Sequence, residues 1–228
     1  RTGDPRCATT GESFSIQGPA LSPSNTALRN VPNILTAARL AAGVVMFLIL
    51  AGATATPILS AYLSPDDQFA LYRAAFFIFV IAASTDWVDG FLARRWKVES
   101  RWGAILDPIA DKILVTGAIL GLLTSGSLTQ IAIPCGLILF REFAVSALRE
   151  TLAGEVTLPV TLLAKWKTTL QLFSLGLQLL ALNWGVFGWD LQLLPTFQTF
   201  ADVMLWVAAI VTVWTGWQYF REAGRQMS

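Results

Sequence analysis

The sequence predicts an all-α integral membrane protein of six transmembrane helices preceded by a short N-terminal juxtamembrane helix. Three observations point there. Of 228 residues, 54% are hydrophobic and only 14% charged, and the mean hydropathy is +0.58, more than a soluble domain of this length needs to fill its core. Apolar stretches of about 20 residues, the length that crosses a bilayer as a helix, recur along the chain. Lysine and arginine collect in alternate connections between those stretches, the asymmetry that sets membrane orientation.

Residues 1–29 are rich in Gly, Pro, Ser and Thr and lack the apolar core and cleavage site of a signal peptide, so they read as a flexible cytoplasmic tail. One membrane domain, residues 30–225, follows and leaves no room for a separate soluble unit. The stretch SNTALRNVPNILTAARL reads as a short surface helix running into the first span, with Arg29 and Arg39 at headgroup depth. The spans are expected at 33–52, 69–93, 103–124, 128–150, 159–182 and 198–221. In the first, Arg39 is the one charged residue; the second carries only Arg73 before Asp86, and the third opens acidic before turning apolar. The fourth runs the other way, from apolar to basic, and the fifth carries Lys165 and Lys167 near its start. In the sixth, Trp206, Trp214 and Trp217 read as packing, lipid-facing or interfacial groups.

Basic residues stand before or at the start of span one (Arg1, Arg6, Arg29, Arg39), around the two–three connection (Arg94, Arg95, Lys97, Arg101, Lys112), around the four–five connection (Arg141, Arg149, Lys165, Lys167) and after span six (Arg221, Arg225). The opposite connections hold only Arg73. Cytoplasmic loops retain Lys and Arg, so both termini and the acid-bearing two–three connection are expected on the cytoplasmic side. Trp184 and Trp189 in the last connection suit an aromatic belt at the far interface.

Two cysteines, Cys7 and Cys135, imply no disulfide framework, and the chain has no histidine. His-based catalysis, histidine zinc sites and Ser-His-Asp triads are thereby excluded.

The segment DWVDGFLARRWKVESRWGAILDPIADK concentrates the chemistry. Asp86, Asp89, Gly90 and Ala93 lie at offsets of 0, 3, 4 and 7, one stripe of a helix; Gly103, Asp107 and Asp111 follow at steps of four, a stripe of the next. A charged aspartate facing lipid costs about 2.5–3.5 kcal/mol on insertion scales, so four of them need compensation. Arg94, Arg95, Lys97 and Arg101 are near enough to supply structural ion pairs. The alternative is a bound cation, for which Gly90, Ala93 and Gly103 clear space on the same stripes. Hard carboxylate oxygens with no His or Cys nearby suit Mg²⁺, Mn²⁺ or Ca²⁺. Four of them can hold two such ions about 4 Å apart, an arrangement used in phosphoryl displacements. The residues by themselves leave metal-assisted phosphoryl chemistry balanced against a structural role or a divalent-cation transporter. Acids gathered at one connection, with a far half almost free of charge, speak against a permeation path.

The spacing Asp86-xx-Asp89-Gly90-xx-Ala93-Arg94, eight residues, then Gly103-xxx-Asp107-xxx-Asp111 resembles the signature of the CDP-alcohol phosphatidyltransferase family at every fixed position. The resemblance implies a six-helix transmembrane fold, a homodimer, and two Mg²⁺ or Mn²⁺ ions at a site opening to the cytoplasm. It also implies attack of an alcohol on the lipid-side phosphorus of a CDP-linked lipid, with CMP leaving. On that reading Asp86, Asp89, Asp107 and Asp111 are metal ligands and Asp111 is the general base. Asp89, Gly90, Ala93, Arg94 and Gly103 shape the CDP pocket, and Arg95 and Lys97 read as headgroup contacts.

The acceptor has to be read elsewhere. FREFAVSALRE places Arg141 and Arg149 eight residues apart, nearly on one helix face, and AKWKTTLQ brings in Lys165 and Lys167 from the same side. Four cations near a metal site point to an anionic acceptor, whereas serine would not need them. Glu142 and Glu150 directly follow the two arginines and offer a purely structural pairing instead. These segments and VPNILTAARL resemble the bacterial branch of the family that uses CDP-diacylglycerol and glycerol 3-phosphate, from about Asn30 to Gln178. That resemblance implies that Arg141, Arg149, Lys165 and Lys167 clamp the acceptor phosphate, that Asn33, Thr36 and Arg39 meet the donor nucleotide or headgroup, and that the product is phosphatidylglycerophosphate. Sister enzymes using serine, inositol phosphate or a second phospholipid are the nearest alternatives. Pro108, directly after Asp107, reads either as a helix-loosening residue that aims both acids of its stripe or as a first-turn proline.

Overall fold

Where the chain is apolar over a bilayer's width, it is helical. The computed structural model describes residues 23–54, 62–96, 101–125, 128–152 and 162–226, with side chains for 33–53, 62–85, 106, 108–125, 130–152 and 166–225. Helices α1 (Pro23–Thr54), α2 (Pro65–Trp96), α3 (Arg101–Thr124), α4 (Leu128–Thr151), α5 (Leu162–Leu182) and α6 (Leu194–Gln226) make up nearly all of it. Two 3-10 turns, Trp184–Phe187 and Leu191–Leu193, join α5 to α6.

Local chemistry sets the ends. Ser64 Oγ accepts from the Asp67 N–H at 3.2 Å while Asp67 Oδ2 accepts from the Ser64 N–H at 3.1 Å, a reciprocal cap that starts α2 at Pro65. After α5, Gly188 takes a left-handed φ of 69° that turns the chain, a conformation glycine adopts without a Cβ clash. The expected juxtamembrane segment and first span form one uninterrupted α1 of 32 residues. At about 1.5 Å per residue it is about 48 Å long, more than a hydrocarbon core of about 30 Å. The helix begins at Pro23, seven residues before the expected domain boundary at Asn30, and residues 1–22 of the expected tail lie outside the described residues. Pro108 is the eighth residue of α3, so the first-turn reading is replaced by a proline inside the helix. There its missing N–H removes one backbone bond and eases bending.

Among the described residues, four segments are long and apolar enough to cross a membrane by composition: Asn33–Ala53, Pro65–Thr85, Gln130–Thr151 and Leu191–Arg225. Helices α3 and α5, at 24 and 21 residues, also have the length, with Asp107, Asp111 and Lys112 in α3 and Lys165 and Lys167 in α5. The outer surface is apolar, with Leu48, Ile81, Phe140, Trp214 and Trp217 exposed. A monomeric soluble protein does not present such a belt, and lipid tails solvate it. The chain is an all-α, multi-pass integral membrane protein.

Helix α1 packs on α2 and α3, α6 packs on α4 and α5, and α3 and α5 join the two groups. One buried apolar cluster, including Met46, Phe79, Leu114, Ile138, Leu175 and Leu205, draws on all six helices. Backbones touch where α1 meets α3. A Cβ on Gly117 would stand 2.5 Å from the Gly43 carbonyl oxygen, and one on Gly43 would stand 3.0 Å from Leu114 Cα. Small residues at membrane helix crossings permit this approach.

Candidate active site

The Gly43–Gly117 crossing has a consequence one turn away. Arg39 precedes Gly43 by one turn of α1 and Asp111 precedes Leu114 by about one turn of α3, so the close backbones bring their side chains together. Arg39 Nη1 donates to Asp111 Oδ1 at 2.9 Å. The Arg39 side chain is fully buried whereas 37% of the Asp111 side chain remains exposed. The guanidinium therefore holds the carboxylate from the protein side while part of the side chain stays accessible. Arg39, expected at headgroup depth or on the donor, has its side chain buried against Asp111.

Asp111 opens onto a cavity of about 630 Å³ between α3, α4, α5 and α6, within the range of small-molecule sites. Arg141, Arg149 and Lys167, predicted on α4 and α5, line the same cavity. Among the described residues, four cationic side chains there (Lys112, Arg141, Arg149, Lys167) stand with three acidic ones (Asp111, Glu142, Glu150). Cations grouped beside apolar helices favour an anionic ligand, because the low dielectric around them strengthens each attraction.

Each cation is held differently. Arg141 is buried, donating through Nη1 to Glu142 Oε1 at 3.3 Å and through Nη2 to Thr215 Oγ1 at 3.2 Å; its Nε has no partner among the described residues. Lys167 donates to the same Glu142 oxygen. Gln171 Nε2 reaches Glu142 Oε1 at 3.1 Å and Thr212 Oγ1 at 2.8 Å. The structural pairing weighed for Glu142 thus exists, and it spans two helices. Arg149 does not pair with Glu150 among the described residues; its Nη2 donates to the Tyr219 hydroxyl at 2.8 Å, and its guanidinium carbon lies 4.9 Å from the ring centroid.

The structure therefore brings Asp111, Arg141, Arg149 and Lys167 to one chamber, with Thr36 and Arg39 buried behind it on α1 and Asn33 one turn away. The backbones of Asp86, Asp89, Gly90, Ala93 and Arg94 are helical in α2, and those of Gly103 and Asp107 in α3, so the spacing argument rests on formed helices. The side chains of those residues, and of Arg95 and Lys165, lie outside the described set, as does Lys97.

Sequence reasoning missed Glu142 as a shared anchor, and it missed Gln171, Thr212, Thr215 and Tyr219 altogether. A signal for the last three was present. Ala208, Thr212, Thr215, Gly216, Tyr219 and Ala223 recur every three or four residues on α6 and are all buried, a small and polar stripe on a helix otherwise crowded with large apolar groups.

Comparison with known proteins accords with this geometry. A family model described as CDP-alcohol phosphatidyltransferase matches residues 29–214. A CDP-diacylglycerol–glycerol-3-phosphate 3-phosphatidyltransferase of Rickettsia bellii is 40% identical over 193 residues, covering 84% of this chain and 94% of the relative. Relatives of the same name from Cereibacter sphaeroides and Bacillus subtilis are 37% and 36% identical, covering 85% and 84% of this chain and 95% and 93% of their own length. With the signature on two formed helices and a match over most of its length, the chain belongs to the CDP-alcohol phosphatidyltransferase family.

Proposed function

We propose that this protein transfers the phosphatidyl group of CDP-diacylglycerol to glycerol 3-phosphate, releasing phosphatidylglycerophosphate and CMP, at the cytoplasmic face of a bacterial inner membrane. The observation that carries the reading is the convergence of Asp111 with Arg141, Arg149 and Lys167 on one cavity. An acid that can take a proton stands opposite cations that can hold a phosphate. The names of the relatives point to the same acceptor, and six crossings with both termini inside follow from the basic connections.

The donor set fits hard divalent ions. It is all carboxylate (Asp86, Asp89, Asp107, Asp111), the chain has no histidine, and Cys135 is buried in the core. These four residues would hold two Mg²⁺ or Mn²⁺ ions, which when bound neutralise the diphosphate and favour departure of CMP. Gly90, Ala93 and Gly103 leave room for the CDP moiety, with Asp89 and Arg94 contacting it and Asn33 and Thr36 closing the α1 side. Arg141, Arg149, Lys165 and Lys167 orient the acceptor phosphate so that its hydroxyl faces the lipid-side phosphorus. Asp111 accepts the hydroxyl proton as the new P–O bond forms and the bond to CMP breaks. Arg39 keeps Asp111 in place throughout. The protein acts as a homodimer in this reading, each copy with a complete site.

The test separates chemistry from binding. Asp111→Asn keeps size and hydrogen-bonding capacity but cannot accept the proton. We expect CMP release to fall by about three orders of magnitude or more while CDP-diacylglycerol binding, followed by thermal stabilisation of the detergent-purified protein, stays near wild type. Equal loss of binding and turnover would remove the base assignment.

A further inference from the structure

Helix α6 reads in the sequence as a packing helix, yet it supplies a wall of the cavity. Tyr219 is 6% exposed and lines the chamber. Its hydroxyl accepts from Arg149 Nη2 at 2.8 Å. A phenol oxygen that accepts must send its own proton another way, and among the described residues no acceptor receives it. The ring is placed with equal economy, its centroid 4.9 Å from the Arg149 guanidinium carbon and 5.9 Å from that of Arg141. One aromatic ring thus lies near two cations eight residues apart on α4. Gly216, one turn back on α6, makes the approach possible, since a Cβ there would meet Arg141 Cγ at 2.8 Å. Tyr219 lies beyond the segment matched by the family model, which ends at residue 214.

We propose that Tyr219 is a specificity-determining residue for the anionic acceptor: its ring registers the Arg141 and Arg149 guanidiniums, and its hydroxyl, turned into the cavity by Arg149, donates its proton to an oxygen of the acceptor's phosphate. The inference rests on the acceptor-site reading above and extends it to a neutral donor. A hydroxyl donor beside the Arg149 guanidinium favours a phosphate with several acceptor oxygens over a carboxylate or an uncharged polyol.

The experiment is steady-state kinetics of the full chain in detergent, with glycerol 3-phosphate and CDP-diacylglycerol varied independently, for Tyr219→Phe, Tyr219→Leu and Arg149→Ala. Tyr219→Phe removes the O–H alone. It should raise the KM for glycerol 3-phosphate about tenfold, the weight of one hydrogen bond to a charged group, with the KM for CDP-diacylglycerol changed less than about twofold. Inorganic phosphate, as a competitive inhibitor against glycerol 3-phosphate, should weaken by the same factor. Tyr219→Leu, which also removes the ring, should raise the acceptor KM further. Unchanged acceptor KM and phosphate inhibition in Tyr219→Phe would overturn the proposal, as would an equal rise in both KM values, the mark of a structural role. Arg149→Ala separates the two readings. If it raises the acceptor KM while Tyr219→Phe does not, this inference alone fails; if it leaves the acceptor KM untouched, the cavity is not the acceptor site and both fail.

Discussion

Glu142 is the residue on which the cationic wall depends. One of its oxygens receives Arg141, Lys167 and Gln171, and its side chain is only 16% exposed. Removing one partner of a buried ion pair costs about 3–5 kcal/mol because the remaining charges stay desolvated and uncompensated. Glu142→Gln should therefore lower the melting temperature of the purified protein, and millimolar inorganic phosphate should restore more of that loss than it adds to wild type, since the anion can replace the missing charge. No added stabilisation by phosphate would mean that Arg141 and Lys167 do not face the ligand. At this scale the sequence was legible where charge has no reason to enter a bilayer: Asp111, Arg141, Arg149 and Lys167 stood out for that reason and meet in one chamber. Partners were less legible. Whether Arg149 would bond Glu150 or a tyrosine 70 residues away depends on how α4 and α6 are rotated about their axes, and nearest-neighbour reasoning has no access to that.

Among the elements, the crossing of α1 and α3 positions the acid. Gly117→Val would place a branched side chain where even a Cβ lies 2.5 Å from the Gly43 carbonyl oxygen. The helices must then separate by an ångström or more, and the Arg39–Asp111 bond, 2.9 Å in this structure, breaks with them. We expect at least about a tenfold loss of CMP release, consistent with the sensitivity of catalysis to displacements of this size, together with a lower melting temperature. Activity at the wild-type level would show that Asp111 needs no support from α1. Helix locations were readable because about 20 apolar residues with charged ends admit few other structures in a membrane. Interior details were not. Arg39 resembled an interfacial arginine from its place near the start of an apolar run, but the glycine one turn on turns that face of α1 toward α3.

Across the whole molecule, lysine and arginine gather at one end, and among the described residues Arg73 alone lies toward the other. Asp111, Arg141, Arg149 and Lys167 gather where α3 and α5 begin and α4 and α6 end. At the opposite end Asp202 is held by Gln178 at 2.8 Å and Gln198 at 3.0 Å, and the Trp184 ring packs edge-on to Trp189 and tilted against Phe197. Such an arrangement suits an enzyme that draws one substrate from the lipid and the other from the aqueous side, and it does not suit a conduit across the bilayer. The family was legible in eight fixed positions between Asp86 and Asp111 because their chemistry requires those spacings on two helices. The contribution of α6 was obscured, since its polar stripe is diluted by large apolar neighbours facing lipid. The most direct measurement is acceptor-dependent CMP release from CDP-diacylglycerol by the purified protein with Mn²⁺, across glycerol 3-phosphate, glycerol, serine and inositol phosphate. The account predicts release with glycerol 3-phosphate and little with the others; release with serine or glycerol in its place would contradict it.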